Sequence, residues 1–164
     1  MARREIPGPD QESVWDYPRP PRIERSDARV IVELAGVRIV DTQRSIRVLE
    51  TSHPPVHYLC PDDFPSDVLQ PATGPQSWCE FKGTADYVDL AAGDRVARSA
   101  GWRYLNPTAG YVALDGWVAL YPGRVDAVWL AGERVRAQDG DFYGGWITSR
   151  VTGPFKGAPG TRGW

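Results

Sequence analysis

Glycine and proline interrupt this chain so often that no long helix can run through it. The 164 residues include 17 glycines and 15 prolines, spread from end to end with no repeating period. Each one loosens the backbone or fixes φ and removes a hydrogen-bond donor. Between the breaks lie short runs of Val, Ile, Tyr and Trp with polar residues interleaved, the period-two pattern of strands that bury one face. Arg29-Val-Ile-Val-Glu-Leu34 and Val37-Arg-Ile-Val-Asp41 flank the turn pair Ala35-Gly36. Gly93-Asp94 and Ala131-Gly132 mark two further hairpins. Further strands are expected at 46–50, 56–59, 78–82, 102–105 and 117–121, and short helices only at 65–69 and 108–114. The fold class is mainly β, with antiparallel sheets, short helices and ordered terminal arms.

Three segments follow. Residues 1–28 form a Pro/Arg-rich arm, 29–136 a β domain, and 137–164 a Gly/Pro/aromatic arm. The arms are too broken to form ladders. They nevertheless carry Trp15, Tyr17, Phe142, Tyr143, Trp146, Phe155 and Trp164, rings that are costly to leave in water. Both arms are therefore expected to pack over the β domain, with about the first ten residues frayed.

Charge excludes some functions. A net charge of −2 supplies no field for a nucleic-acid backbone, and no apolar run approaches the length of a membrane span or a secretion signal. A cytoplasmic protein is expected, with no nucleic-acid or membrane partner, as a monomer or homodimer. Cys60 and Cys79 form no CxxC pair and are expected to be reduced thiols. Of the 19 basic residues only Lys82 and Lys156 are lysines.

Several motifs, taken in order, are specific. Arg47-Val-Leu-Glu-Thr-Ser-His-Pro-Pro-Val-His-Tyr-Leu59, Pro61-Asp-Asp63, Trp78-Cys-Glu-Phe-Lys-Gly-Thr-Ala85, Gly101-Trp-Arg-Tyr104 and Trp117-Val-Ala-Leu-Tyr-Pro-Gly-Arg-Val-Asp126 resemble the bacterial and fungal family DUF427. Ser13-Val-Trp-Asp-Tyr-Pro-Arg-Pro20, Tyr143-Gly-Gly-Trp146 and Gly153-Pro-Phe-Lys156 are similar to the arms of longer, actinobacterial-type members. The resemblance implies a β-tent, Mss4-like arrangement of antiparallel sheets, a fold used for ligand pockets, and no assigned chemistry.

Three constellations could carry function. His53 sits before Pro54-Pro55, a bend of limited backbone freedom, with Glu50 near enough to orient it. An imidazole near its ordinary pKa of about 6.5 would suit acid–base work, the competing reading being a turn cap with Glu50 paired to an arginine. On a strand through Trp78, Glu80 and Lys82 would share one face and form an ion pair, with Cys79 a small buried apolar group on the other. The third is aromatic: Tyr58, Trp78, Tyr87, Trp102, Tyr104, Trp117 and Tyr121, with Arg103 and Arg124 close by.

The main functional expectation is a small organic ligand bound by Tyr58, Trp78, Glu80, Lys82, Trp102, Tyr104, Tyr121 and Arg124. One alternative is a metabolic enzyme using His53 and Glu50 as catalytic acid and base, with Lys82 or Arg124 holding an anionic group. A protein-interaction domain that contacts partners through the arms is another. No cofactor is expected. A mixed zinc site of His53, His57, Cys60 and Cys79 is disfavoured, because alternation turns His57 away from Val56 and Tyr58.

Overall fold

The structure, a computed structural model, describes residues 3–164. In chain order the strands are β1 (Glu12–Ser13), β2 (Arg22–Ser26), β3 (Val30–Leu34), β4 (Val37–Thr42), β5 (Ser45–Leu49), β6 (Val56–Leu59), β7 (Leu69–Pro71) and β8 (Ser77–Cys79). They continue as β9 (Gly83–Ala92), β10 (Arg95–Arg103), β11 (Val118–Leu120), β12 (Ala127–Leu130), β13 (Glu133–Arg134), β14 (Arg136–Ala137), β15 (Trp146–Ile147) and β16 (Val151–Thr152). Four short 3-10 turns complete the described elements. The protein is mainly β.

Two antiparallel sheets form the body. The larger runs β2-β5-β6-β11-β10-β9-β7, with β8 also pairing with β9, and the smaller runs β13-β12-β3-β4. The hairpins β3–β4, β9–β10 and β12–β13 turn where Ala35-Gly36, Gly93-Asp94 and Ala131-Gly132 allow it.

Period-two alternation divides the side chains of the large sheet between its faces. Leu59, Val88, Leu90, Val118 and Leu120 point toward the small sheet and pack with Val30, Val32, Leu34, Ile39, Val40 and Val128. Each such side chain, fully buried, contributes roughly 1.5–3 kcal/mol. Their strand neighbours Tyr58, Ala85, Trp102 and Ala119 form a second cluster with Ile46, Val48, Tyr104, Tyr111 and Tyr121. That second face carries the site.

Both arms do form ladders, contrary to the sequence expectation. Arg22–Ser26 adds an edge strand to the large sheet against β5. The two arms meet each other through the parallel pair β1–β16, and β14 pairs with β15. Two residues of pairing suffice here because Val14, Tyr17, Leu49 and Val151 bury a small core beneath the pair, with Trp15 and Phe155 against it. Contact reaches back further than the expected frayed end, since Glu5 N–H donates to the Gly153 carbonyl at 3.0 Å. Of the residues expected to fray, 1 and 2 lie outside those described.

Two other expectations fail locally. Residues 65–68 make a turn, closed by Val68 N–H to the Pro65 carbonyl, with Asp67 at φ 69°, a conformation incompatible with a helix, and Leu69 already begins β7. The strand expected through 78–82 stops at Cys79, where Glu80, Phe81 and Lys82 turn the chain back so that Cys79 pairs with Gly83. Gly83 has φ 106°, which side chains disfavour and glycine tolerates.

Candidate functional site

The aromatic face is not filled. Between it and the C-terminal arm lies a cavity of about 250 Å³, somewhat below the usual 300–1,000 Å³ of small-molecule sites. Its floor is the sheet: Val48 from β5, Val56 and Tyr58 from β6, Tyr87 from β9, Trp102 from β10, then Tyr104 and Tyr121 at strand ends. The β8–β9 turn makes one wall and the C-terminal arm the other.

The rings are held apart as much as together. Trp102 meets Tyr121 at 4.7 Å between ring centroids and Tyr58 edge-on at 6.2 Å, while Tyr58 and Tyr104 sit 6.3 Å apart. Trp102 Nε1–H donates to the Tyr58 hydroxyl at 3.1 Å, and Tyr121 Oη–H donates to the Phe142 carbonyl at 3.1 Å. Polar edges fixed this way restrain the planes from collapsing into the space. Burial raises the pKa of Tyr58, Tyr104 and Tyr121, so all three remain neutral phenols. At the rim Trp78 is 71% exposed and Phe142 60%, large apolar rings left in water beside an opening.

Glu50 and His53 occupy a turn that both arms clamp. Val14 O accepts from Ser52 N–H, Pro18 O accepts from Thr51 N–H, and Lys156 N–H donates to the Ser52 carbonyl. Gln138 fixes the imidazole. Its Oε1 accepts from Gly145 N–H at 3.1 Å and its Nε2 donates to the Lys156 carbonyl at 2.7 Å, which settles the amide orientation. The second Nε2 hydrogen then points to His53 Nδ1 at 3.2 Å, so Nδ1 accepts and the proton of neutral His53 lies on Nε2, 3.6 Å from Glu50 Oε2. Glu50 is also 3.2 Å from Arg19.

This geometry corrects the expectation that His53 keeps an imidazole's ordinary pKa. Burial, then the charges of Lys156, Arg19 and Lys82, lowers its pKa to about 3. A neutral imidazole with Nδ1 occupied and Nε2 protonated offers one donor near pH 7.

The lysines have a different setting. Lys82, buried at 8% exposure, puts its ammonium 5.8 Å from the Tyr104 ring centroid. It makes no side-chain hydrogen bond and no salt bridge among the described residues, so the ion pair expected with Glu80 is absent. The turn sets exposed Glu80 and buried Lys82 apart in direction. Lys156 enters from the C-terminal arm, donates to the Trp164 main-chain oxygen at 3.1 Å and lies 5.6 Å from the Tyr143 ring.

Of the residues singled out from sequence, Glu50, His53, Tyr58, Trp78, Glu80, Lys82, Trp102, Tyr104 and Tyr121 all border this cavity. Arg124 does not. Its guanidinium stacks on Tyr121 at 3.9 Å and donates to the carbonyls of Ser99 and Asp141 at 2.6 and 2.8 Å, tying the C-terminal arm to the domain beside a neighbouring cleft. These two bonds strap the arm to the domain, and Arg124 borders the neighbouring cleft rather than this cavity. Cys79, expected to be a buried apolar group, is partly exposed and borders the cavity.

Sequence reasoning missed the arm's share, Gln138, Phe142, Tyr143, Gly144 and Lys156. Gly144 is required by contact: a Cβ there would lie 2.2 Å from a Trp102 ring carbon. The available signal was that Lys82 and Lys156 are the only lysines in an arginine-rich chain.

His57 lies outside the site. It is stacked on Trp146 at 4.6 Å in the aliphatic layer, with Nδ1 3.1 Å from the Ser45 hydroxyl. No cluster of three or more His, Cys, Asp or Glu suited to a metal ion occurs among the described residues, and none of their helices is long and apolar enough to cross a membrane.

Residues 22–131 match a family described as a domain of unknown function, DUF427. No curated protein matches the chain.

Proposed function

Since the chain belongs to the DUF427 family, whose description assigns no activity, we propose a function from the pocket: the protein binds a small organic ligand between the aromatic rings of its large sheet. One observation carries this reading. The aliphatic face of that sheet is packed closed, whereas the ring-bearing face keeps a cavity of about 250 Å³ with exposed Trp78 at its mouth. Rings lining a concavity, with a few fixed polar groups, are the usual composition of a ligand site.

Binding is favoured over proton-transfer catalysis because His53 is locked neutral with its acceptor nitrogen occupied. It is favoured over a protein-interaction role because most of the arms' rings pack on their own chain, Phe142 alone among them being largely exposed at the cavity rim. Trp15 packs edge-on against Trp164, and Tyr143 against His53.

A thermal-shift screen of small metabolites tests the reading. At least one compound raises the melting temperature of the wild-type protein, and Trp78→Ala, which removes a largely exposed ring, folds normally but loses that response. A screen in which no compound moves the melting temperature, or in which Trp78→Ala responds as the wild type does, overturns it.

A further inference from the structure

Resting on that reading, we infer that the ligand is a flat ring compound bearing an anionic group, a carboxylate or a phosphate monoester, and that Lys82 and Lys156 hold the anion. Every salt bridge among the described residues is made by arginine or histidine. The two lysines of the chain make no salt bridge among the described residues and line the same cavity, Lys156 with one donor on the Trp164 main-chain oxygen. Lys82 comes from the β8–β9 turn and Lys156 from the C-terminal arm.

A buried ammonium with three donors and no carboxylate is costly unless something else satisfies it. Lys82 approaches that state: the residue is more than nine-tenths buried and borders the cavity, and its Nζ, which keeps some exposure, has no acceptor among the described residues. A ligand anion supplies the missing acceptor. Lysine suits the task as a compact point charge that needs no planar forked partner, unlike the arginines used elsewhere in the chain.

The acidic groups nearby do not reverse this field. Glu50 is balanced by Arg19 at 3.2 Å and faces the Nε2–H of His53, and Glu80 is exposed on the rim turn. The rings of Trp102, Tyr104 and Tyr121 then accept the flat part of the ligand by stacking and edge contacts.

The test uses isothermal titration of the full chain with matched probes: benzoate and 2-naphthoate, phenyl phosphate, benzamide and 2-naphthamide, and benzylammonium. The anions bind more tightly than the amides, added salt weakens only the anions, and benzylammonium binds least. Lys82→Met and Lys156→Met each weaken anion binding about 10- to 100-fold and leave amide binding within about twofold. The ratio of carboxylate to phosphate affinity identifies which anion the lysines fit. The inference is overturned if an amide or benzylammonium binds as tightly as its anionic match, or if both lysine variants bind anions as the wild type does. In those cases the pocket reading stands. Failure of every probe, charged or neutral, would instead remove the pocket reading and the inference with it.

Discussion

The two faces of the large sheet are built by the same strands and do opposite things. On one side branched aliphatic chains such as Leu59, Leu90, Val118 and Leu120 interdigitate with the small sheet at zero exposure. On the other, Tyr58, Trp102, Tyr104 and Tyr121 meet at ring separations of 4.7–6.3 Å and leave room between themselves and the arm. Aliphatic side chains change rotamer to fill a gap. A ring held at its edge by a hydroxyl or indole hydrogen bond cannot slide into it. One layer therefore supplies stability and the other supplies space.

The contrast is broken most severely by truncating the aliphatic layer. Leu120→Ala is expected to cost about 2–5 kcal/mol, lowering the melting temperature by roughly 10 °C in calorimetry. A loss below about 1 kcal/mol would mean that this face is as loosely filled as the other.

Acid sharpens the comparison, because each face holds one histidine. Burial first, then the neighbouring charges, sets both His53 and His57 near a pKa of about 3. Below about 6.5 the unfolded chain takes up a proton on each that the folded chain refuses until about pH 3, so stability falls as pH drops through that window. Urea unfolding at pH 7 and pH 5 should differ by about 2 kcal/mol for each histidine. His53→Gln should remove the share of the aromatic face and keep that of His57. Equal stability at the two pH values would contradict the neutral burial of both rings.

The smallest effect has the opposite sign. Lys82→Met replaces an unpaired ammonium at the end of a largely buried side chain with an apolar chain of similar length, so thermal stability should hold or rise by about 1 kcal/mol. A large destabilisation would show that the ammonium supports the fold itself.

Much of the β domain was legible because its signals are local. Ala35-Gly36, Gly93-Asp94 and Ala131-Gly132 announce hairpins by turn chemistry, and alternation turns His57 away from Val56 and Tyr58. What stayed hidden depends on distant chain. Nothing near Gln138 announces that it will orient His53, 85 positions away. The Glu80–Lys82 pair was misjudged because a strand was carried through a turn set by Gly83. Nothing beside Arg124 announces its partners, because Ser99 and Asp141 lie 25 and 17 positions away.

The most direct test of an open aromatic face beside a closed aliphatic one is a proton–nitrogen NMR titration of the wild-type chain with 2-naphthoate. Saturable shifts are expected at the Trp102 indole N–H and at the amides of His53, Gly83, Tyr143 and Gly144, with Val32, Leu90 and Val128 still. Saturable shifts centred on those last three residues, or none anywhere, would contradict the account.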